Sequence, residues 1–508
     1  MDKIIDPKVI QQSPTLVVAM ILLALVLVAS AFRKLNVPVI ILSLMIGLIF
    51  GSDVLKLIHF NNAHFAKEVA NLALMFILFI GGFGTNKETF KPVLKPVMLL
   101  ATVGVVTTAI ITGFIFHLIT GWDFLNSLLL GSIISSTDAA AMYAIFRNRP
   151  IEAKTRTVLE LESVANDPMA IVLTTFVISL VMGKSTNTWL AILNFTWQMV
   201  GGVAIGAIVG YVAAYFLNKI RESDTDYFFV YLIAVVLLTY SLADMAKASG
   251  LLATFSAGFV MGNSKIPLKN RLLSFSDTLS FITNVALFIL LGLLASPKSF
   301  SEIWGKGVLV FLIITLVSRP ITVFIFTAKA GLTLKQKILI AFAGIRGSVP
   351  IVLATYPLAA GLDPEREFFN MIFFTVTLSI ILQGTGIFAL AKRLKLLSDK
   401  KNVEPRILEL VTVHDTNYEI VEVYIDDDHY TGSCLISELT LPPGTLIAFV
   451  NRRGELIAPS GQVEIVPNDV LTVLVDNKYV DTIHAEIHKS FDRKKTEEDV
   501  WGDEYLYE

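Results

Sequence analysis

Glu162-Ser163-Val164-Ala165-Asn166-Asp167-Pro168 lies inside an apolar run that continues to about Val181. A charged side chain at the centre of a bilayer costs roughly 2.5–3.5 kcal/mol on insertion scales, and this stretch carries two. At helical spacing Glu162 stacks on Asn166 and Ser163 on Asp167, so one face presents oxygens. Met169, Ile171, Val172 and Leu173 then lead back into lipid-like sequence. A polar packing seam between helices is the plain reading. Buried intramembrane carboxylates are costly and mostly functional, which favours an ion-binding site.

The chain around this stretch confirms the setting. Of 508 residues, 54% are hydrophobic and only 17% charged, against about 25% charged in an average soluble domain. The pattern is that of a polytopic membrane protein. A net charge of -2 argues against nucleic acid as a partner, and a single cysteine, Cys434, excludes a disulfide framework and a multi-cysteine metal site. None of the seven histidines falls mid-membrane. That removes the usual base for a nucleophilic serine and argues against an intramembrane hydrolase; neither an enzyme activity nor a cofactor is expected.

Apolar stretches fall near 14–32, 37–57, 67–83, 92–119, 123–146, 157–183, 189–217, 227–247, 249–262, 276–295, 305–328, 335–358 and 368–391. They predict about thirteen transmembrane helices, with 249–262 the shortest. The first, Leu16 to Phe32, reads as a retained helix rather than a cleaved leader. With the N-terminus outside, the inside loops hold seventeen Lys and Arg and the outer segments nine. By the positive-inside rule the N-terminus is outside and the C-terminus cytoplasmic.

Two spans are interrupted by polar or helix-breaking residues. Ser135-Ser136-Thr137-Asp138 sits near the middle of the fifth, and Gly344-Ile345-Arg346-Gly347-Ser348-Val349-Pro350 in the twelfth. Broken helices at corresponding places in two chain halves point to a transporter built from inverted repeats. Half-helix ends leave partial charges, which Asp138 and Arg346 are suited to compensate. Arg319, mid-span in the eleventh, needs a buried anion, and Glu162 is the first candidate. Thr102-Val103-Gly104-Val105 looks like the start of a potassium filter, but it lacks the tyrosine-glycine end and is expected in a continuous helix.

After Leu397 the composition turns polar. Residues 398–406 read as a linker and 483–508 as a charged tail. Between them, Ile407–Val413, Glu419–Ile425, Leu446–Val450, Glu455–Ile457 and Val470–Val475 alternate as strands, with helical propensity at Ser433–Leu439. The pattern predicts a small α+β domain over 407–482. Asn451, Arg452 and Arg453 are expected on the turn after one strand, where paired arginines suit a phosphate.

These residues resemble the cation/proton antiporters of the NhaP and NHE type. Ser136-Thr137-Asp138-Ala139-Ala140 looks like the family's broken-helix motif, and Glu162-Ser163-x-x-Asn166-Asp167 like its ion-binding helix. Gly344-Ile345-Arg346-Gly347-Ser348 looks like the second broken helix, and Ser249-Gly250-Leu251-Leu252-Ala253 is similar to a further family stretch. The likeness covers most of residues 10–395. One departure is Val164-Ala165, where relatives often carry glycine. Residues 407–475 resemble the C-terminal half of the RCK (TrkA-C) module, through Gly432-x-x-Leu435-x-x-Leu439 and the run from Leu446 to Gly454. Its nucleotide-binding N-terminal half is missing, with no G-x-G-x-x-G after a strand. The combination is similar to bacterial potassium/proton antiporters of the NhaP2 (CvrA) kind.

The resemblance implies a homodimer in the inner membrane, exchanging K⁺ or Na⁺ for H⁺ by alternating access. Asp167 would bind cation and proton in competition, with Asn166, Ser163, Thr137 and Asp138 completing the site. Glu162 would be held ionised by an arginine. Asn166 in place of a second carboxylate implies electroneutral exchange. The C-terminal module would regulate transport, with a small ligand or nucleotide as its effector. A ligand-gated cation channel and a proton-coupled organic-anion carrier are the rival readings. The missing filter and the mid-span arginines weigh against the channel.

Overall fold

The computed structural model describes residues 14–31, 39–51, 53–58, 60–87, 91–138, 151–183, 188–219, 225–363, 366–397, 407–408, 418–425, 434–452, 455–476, 478–480, 482–483 and 486–487. The chain divides into two units, Met1–Leu397 and Ser398–Glu508.

The first unit is built from helices: α1 Pro14–Ala31, α2 Val39–Phe50, α3 Ala63–Gly84, α4 Lys91–Thr120, α5 Phe124–Ile134, α6 Ala153–Val181 and α7 Thr188–Leu217. They continue as α8 Thr225–Met245, α9 Gly250–Gly262, α10 Lys269–Leu294, α11 Pro297–Phe326, α12 Leu334–Phe342, α13 Ser348–Ala359 and α14 Glu367–Leu394. Eight of these (α3, α4, α6, α7, α8, α10, α11 and α14) are long and apolar enough to cross a membrane, and α1, α2, α5, α9 and α13 are shorter apolar helices. The unit is thus a mostly helical, polytopic membrane fold. As their polar and helix-breaking residues predict, the spans at 123–146 and 335–358 are not continuous helices. α5 stops at Ile134, and helix is lost between Phe342 and Ser348. Residues 139–150, which include Ala139 and Ala140, lie outside the described residues.

Small residues bring backbones into contact. A Cβ on Gly206 of α7 would lie 2.2 Å from the Ala253 carbonyl oxygen of α9. One on Gly258 of α9 would lie 2.1 Å from the Phe79 carbonyl oxygen of α3. Close approach of this kind is how membrane helices gain packing contacts where no hydrophobic force draws them together.

Sequence places Thr102–Val105 in an uninterrupted α-helix, and here the structure differs. Leu100–Gly104 of α4 is a π turn, and Ile314–Ser318 of α11 is another. The two helices meet at the end of the second turn and just beyond both, through buried hydroxyls. Thr108 and Thr322 share a hydrogen bond of 3.0 Å, and Thr112 donates to Ser318 at 2.8 Å.

The second unit contains an antiparallel sheet in the order β1-β2-β7-β4-β5, formed by Ile407–Leu408, Tyr418–Tyr424, Val470–Asp476, Leu446–Arg452 and Glu455–Ile457. A two-stranded pair joins β3 (Cys434–Leu435) to β6 (Glu464–Ile465). Alternate residues Val421 and Val423 of β2, and Leu471, Val473 and Val475 of β7, face one core with Cys434 and Ile483. The helix expected over Ser433–Leu439 is not formed among its described residues. Cys434 pairs with Ile465, and only Ile436–Glu438 makes a 3-10 turn. Strand pairing there overrides local propensity. β4 also runs two residues past Val450, so Asn451 and Arg452 lie on the strand rather than on the turn. The linker at 398–406, Arg453 and nearly all of the tail lie outside the described residues.

Candidate functional site at two crossing breaks

α6 carries Glu162, Ser163, Asn166 and Asp167 on successive turns, and all four side chains are buried. Pro168 lies inside this helix. Proline has no N–H, so the carbonyl four residues earlier loses its helical partner. In α6 that is Val164, in the turn that holds the two acids.

The ends of the two broken helices meet beside α6. The Asp138 N–H donates to the Ile345 carbonyl at 2.8 Å, which stitches break to break. The Arg346 guanidinium donates to the Ser135 and Ser136 carbonyls at 2.7 and 2.6 Å. It therefore sits on the negative end of α5. Asp138 lies at the other end of the pair. A Cβ on Gly347, the residue that caps α13, would fall 1.8 Å from Asp138 Oδ2. The Asp138 carboxylate thus occupies the space against the positive N-terminus of α13.

Thr137 ties the first break to α6. Its hydroxyl hydrogen-bonds Ser163 Oγ at 2.8 Å and accepts from Asn166 Nδ2 at 2.7 Å, while its N–H donates to Asn166 Oδ1 at 3.3 Å. Asn166 is fully buried and engaged by this one threonine. Asp167 Oδ1 is buried and has no hydrogen-bond partner among the described residues. Asp138 and Arg346 act on its carboxylate through their charges, and the Ser136 hydroxyl lies close to it. A buried acceptor without a donor is costly, and a bound cation or proton removes that cost.

Glu162 faces Arg319. The guanidinium of Arg319, in α11, grips both carboxylate oxygens at 2.5 Å each, with the two residues 4% and 0% exposed. A fork of this geometry suits two fully desolvated charges. Gly344 makes room for it, since a Cβ there would lie 2.9 Å from Arg319 Nε.

Several supporting residues were missed in the sequence. Ser379 and Gln383 of α14 hold the second break. Ser379 accepts from the Arg346 N–H at 3.1 Å and hydrogen-bonds Gln383, whose Nε2 donates to the Phe342 carbonyl at 3.0 Å. Their only signal was an i, i+4 polar pair in an apolar helix. In the second unit, Arg452 forms a fork with Asp469 at 2.9 and 2.8 Å and reaches the Glu464 carbonyl at 2.6 Å.

Two broken helices that cross beside a buried carboxylate helix define a secondary transporter, and comparison with known proteins agrees. Residues 20–393 match the family model described as sodium/hydrogen exchanger, transmembrane. The chain belongs to that family. It is 30% identical to the K(+)/H(+) antiporter NhaP of Alkalimonas amylolytica over 96% of this chain and 86% of that one. It is 28% identical to the K(+)/H(+) antiporter NhaP2 of Shewanella sp. (strain ANA-3) over 90% of this chain and 80% of the relative. Among solved structures it is similar to the sodium proton antiporter MjNhaP1 from Methanocaldococcus jannaschii at pH 8. The TM-score is 0.66 and the identity 26%, over 75% of this chain and 99% of that one.

Proposed function

We propose that the protein exchanges a monovalent cation, with K⁺ favoured, for H⁺, one for one, with Asp167 as the group that carries either. The observation that carries this reading is the buried Asp167 oxygen without a donor at the crossing of the two breaks. Ser163, Thr137, Asn166 and Asp138 surround the site from α6 and the first break. In the described conformation Ser163 and Asn166 are both engaged with Thr137, so coordination by them requires that network to open.

The position next to Asp167 holds a neutral amide, so one carboxylate titrates. A core loaded with H⁺ or with M⁺ then carries the same charge, which makes exchange electroneutral. Glu162 stays ionised on Arg319 as a structural pair, and Arg346 and Asp138 compensate the helix ends. K⁺ is favoured by the relatives named as K(+)/H(+) antiporters, which the chain matches over most of its length. Na⁺ is the second reading, supported by the solved sodium proton antiporter.

The protein works as a homodimer of the inner membrane with its N-terminus outside. The 407–482 domain is a cytoplasmic RCK_C-like regulator whose Asn451, Arg452 and Arg453 region takes a nucleotide or other phosphate ligand. Such a ligand would compete with Asp469 for Arg452. The test is dequenching of a trapped pH dye in proteoliposomes on addition of K⁺ or Na⁺. Saturable dequenching, unchanged when the membrane potential is clamped at zero, is expected. Lack of response to either cation, or a clear dependence on potential, overturns the reading.

A further inference from the structure

A second polar feature lies away from the carboxylate site, at the membrane end where α4 and α6 begin and α11 ends. A cavity of about 210 Å³ opens there, with Leu99, Val158 and Phe326 among its apolar walls and Lys95, Lys154 and Lys329 at its rim. Each lysine comes from a different part of the chain: the start of α4, the start of α6 and the turn after α11. Lys154 Nζ donates to the Gly331 carbonyl at 3.1 Å. The ion pairs among the described residues of this unit are Arg156–Glu160, Lys306–Glu367 and Arg319–Glu162, so none involves these lysines. Among the described residues near these lysines, Glu160 is paired with Arg156, and Glu152 accepts from Gln336 Nε2 at 2.7 Å. The α4 and α6 N-termini add partial positive charge.

Three lysines that line one cavity and form no ion pair among the described residues suit an anion. Beside the cavity, Leu94 and Met98 of α4 and Phe324 and Ile325 of α11 are exposed large apolar side chains. An anion that also carries hydrocarbon satisfies both surfaces. At roughly 30 Å³ per water, the cavity has room for about seven waters, which suits a phosphate with its glycerol oxygens rather than a chain. We propose that this cavity binds the phosphate headgroup of an anionic phospholipid, with the acyl chains lying along the exposed faces of α4 and α11. Basic pockets between helices at a membrane face are suited to such headgroups.

The site also bears on transport. Val158 is one helical turn from Glu162, Phe326 is two turns from Arg319, and Leu99 directly precedes the π turn of α4. A bound headgroup therefore joins the three helices that carry the ion pair and the hydroxyl ladder.

The test titrates full-length protein in mild detergent with phosphatidylglycerol, phosphatidylcholine and inorganic phosphate as separate arms, with the unfolding midpoint as readout. Phosphatidylglycerol alone is expected to raise the midpoint saturably. With each lysine near an anionic headgroup contributing about fivefold, K95Q/K154Q/K329Q needs roughly 100-fold more lipid for half the effect. The corresponding triple Lys→Arg variant keeps the response, and so does K335Q/K337Q, whose lysines do not line the cavity. Single K95Q and K329Q variants, about fivefold each, serve if the triple variant does not fold. Titrations that superimpose for wild type and the Gln variants overturn the site. An equal rise with inorganic phosphate overturns the lipid as its occupant.

Discussion

Asp167 and Glu162 are two acids five residues apart on one helix, and their surroundings differ. Glu162 has both oxygens in the fork of Arg319, whereas one Asp167 oxygen has no donor among the described residues. Asp167→Asn should therefore abolish exchange while the protein still inserts and elutes as a single species, because an amide can neither release a proton nor balance a cation. Substantial K⁺/H⁺ exchange in well-folded variant protein would remove Asp167 from its role. Arg319→Ala strands a buried anion, and breaking one side of such a pair typically costs about 3–5 kcal/mol. Adding Glu162→Gln should recover part of that loss in a thermal-unfolding assay, and simple additivity of the two single losses would contradict the coupling. Sequence alone marked all three residues as buried polar groups inside apolar runs. It could not say which of Arg319 and Arg346 meets Glu162, since both lie mid-span and only the helix crossing brings one within reach.

At the scale of elements, the second break depends on the absence of two side chains. A methyl group on Gly347 meets Asp138 Oδ2 at 1.8 Å and its Cβ at 2.4 Å, while one on Gly344 meets the flexible Arg319 at 2.9 Å. Gly347→Ala is expected to push the first break off the second, with a large fall in both stability and exchange. Gly344→Ala should be milder, since an arginine chain can yield by a few tenths of an ångström. Comparing the unfolding midpoints of the two variants checks the order, and equal losses would refute it. Glycine, proline and a charge within twenty apolar residues make this break readable in the amino-acid order itself. Leu100–Gly104 and Ile314–Ser318 carry no such mark. Leu-Ala-Thr-Val-Gly and Ile-Thr-Leu-Val-Ser are ordinary membrane sequence, and the π geometry comes from packing rather than composition. Ser379 and Gln383 escaped for a similar reason, because a lone polar pair on an apolar helix has many ordinary explanations.

For the whole molecule, the change in character after Leu397 was legible because alternating strands replace long apolar runs, and the two units divide at that point. The family match ends at residue 393, before the second unit begins. Ending the chain after Lys401 should leave cation/proton exchange in place and alter its dependence on pH or on added nucleotide. Activity profiles of the full-length and shortened proteins that superimpose under every condition would leave the domain with assembly or stability as its role. The expected helix at Ser433–Leu439 shows the limit of reading a small domain locally. There a two-residue pairing with a strand thirty residues away decides the backbone.

The π turns in α4 and α11 set the rotational phase of the helical residues C-terminal to them. An α-helix advances about 100° per residue, and each π turn absorbs one extra residue relative to regular winding. Deleting a single residue from Ile314–Val317 would therefore let α11 rewind as regular helix and leave Arg319 close to its present phase. The same deletion after the π turn, in regular helix, has no extra residue to give up and would swing everything beyond it by about 100°. Leu100–Gly104 stands in the same relation to Thr108 and Thr112. The two π turns are slack in the winding, so the ladder and the alignment of Arg319 with Glu162 survive the loss of one residue there and not further along either helix.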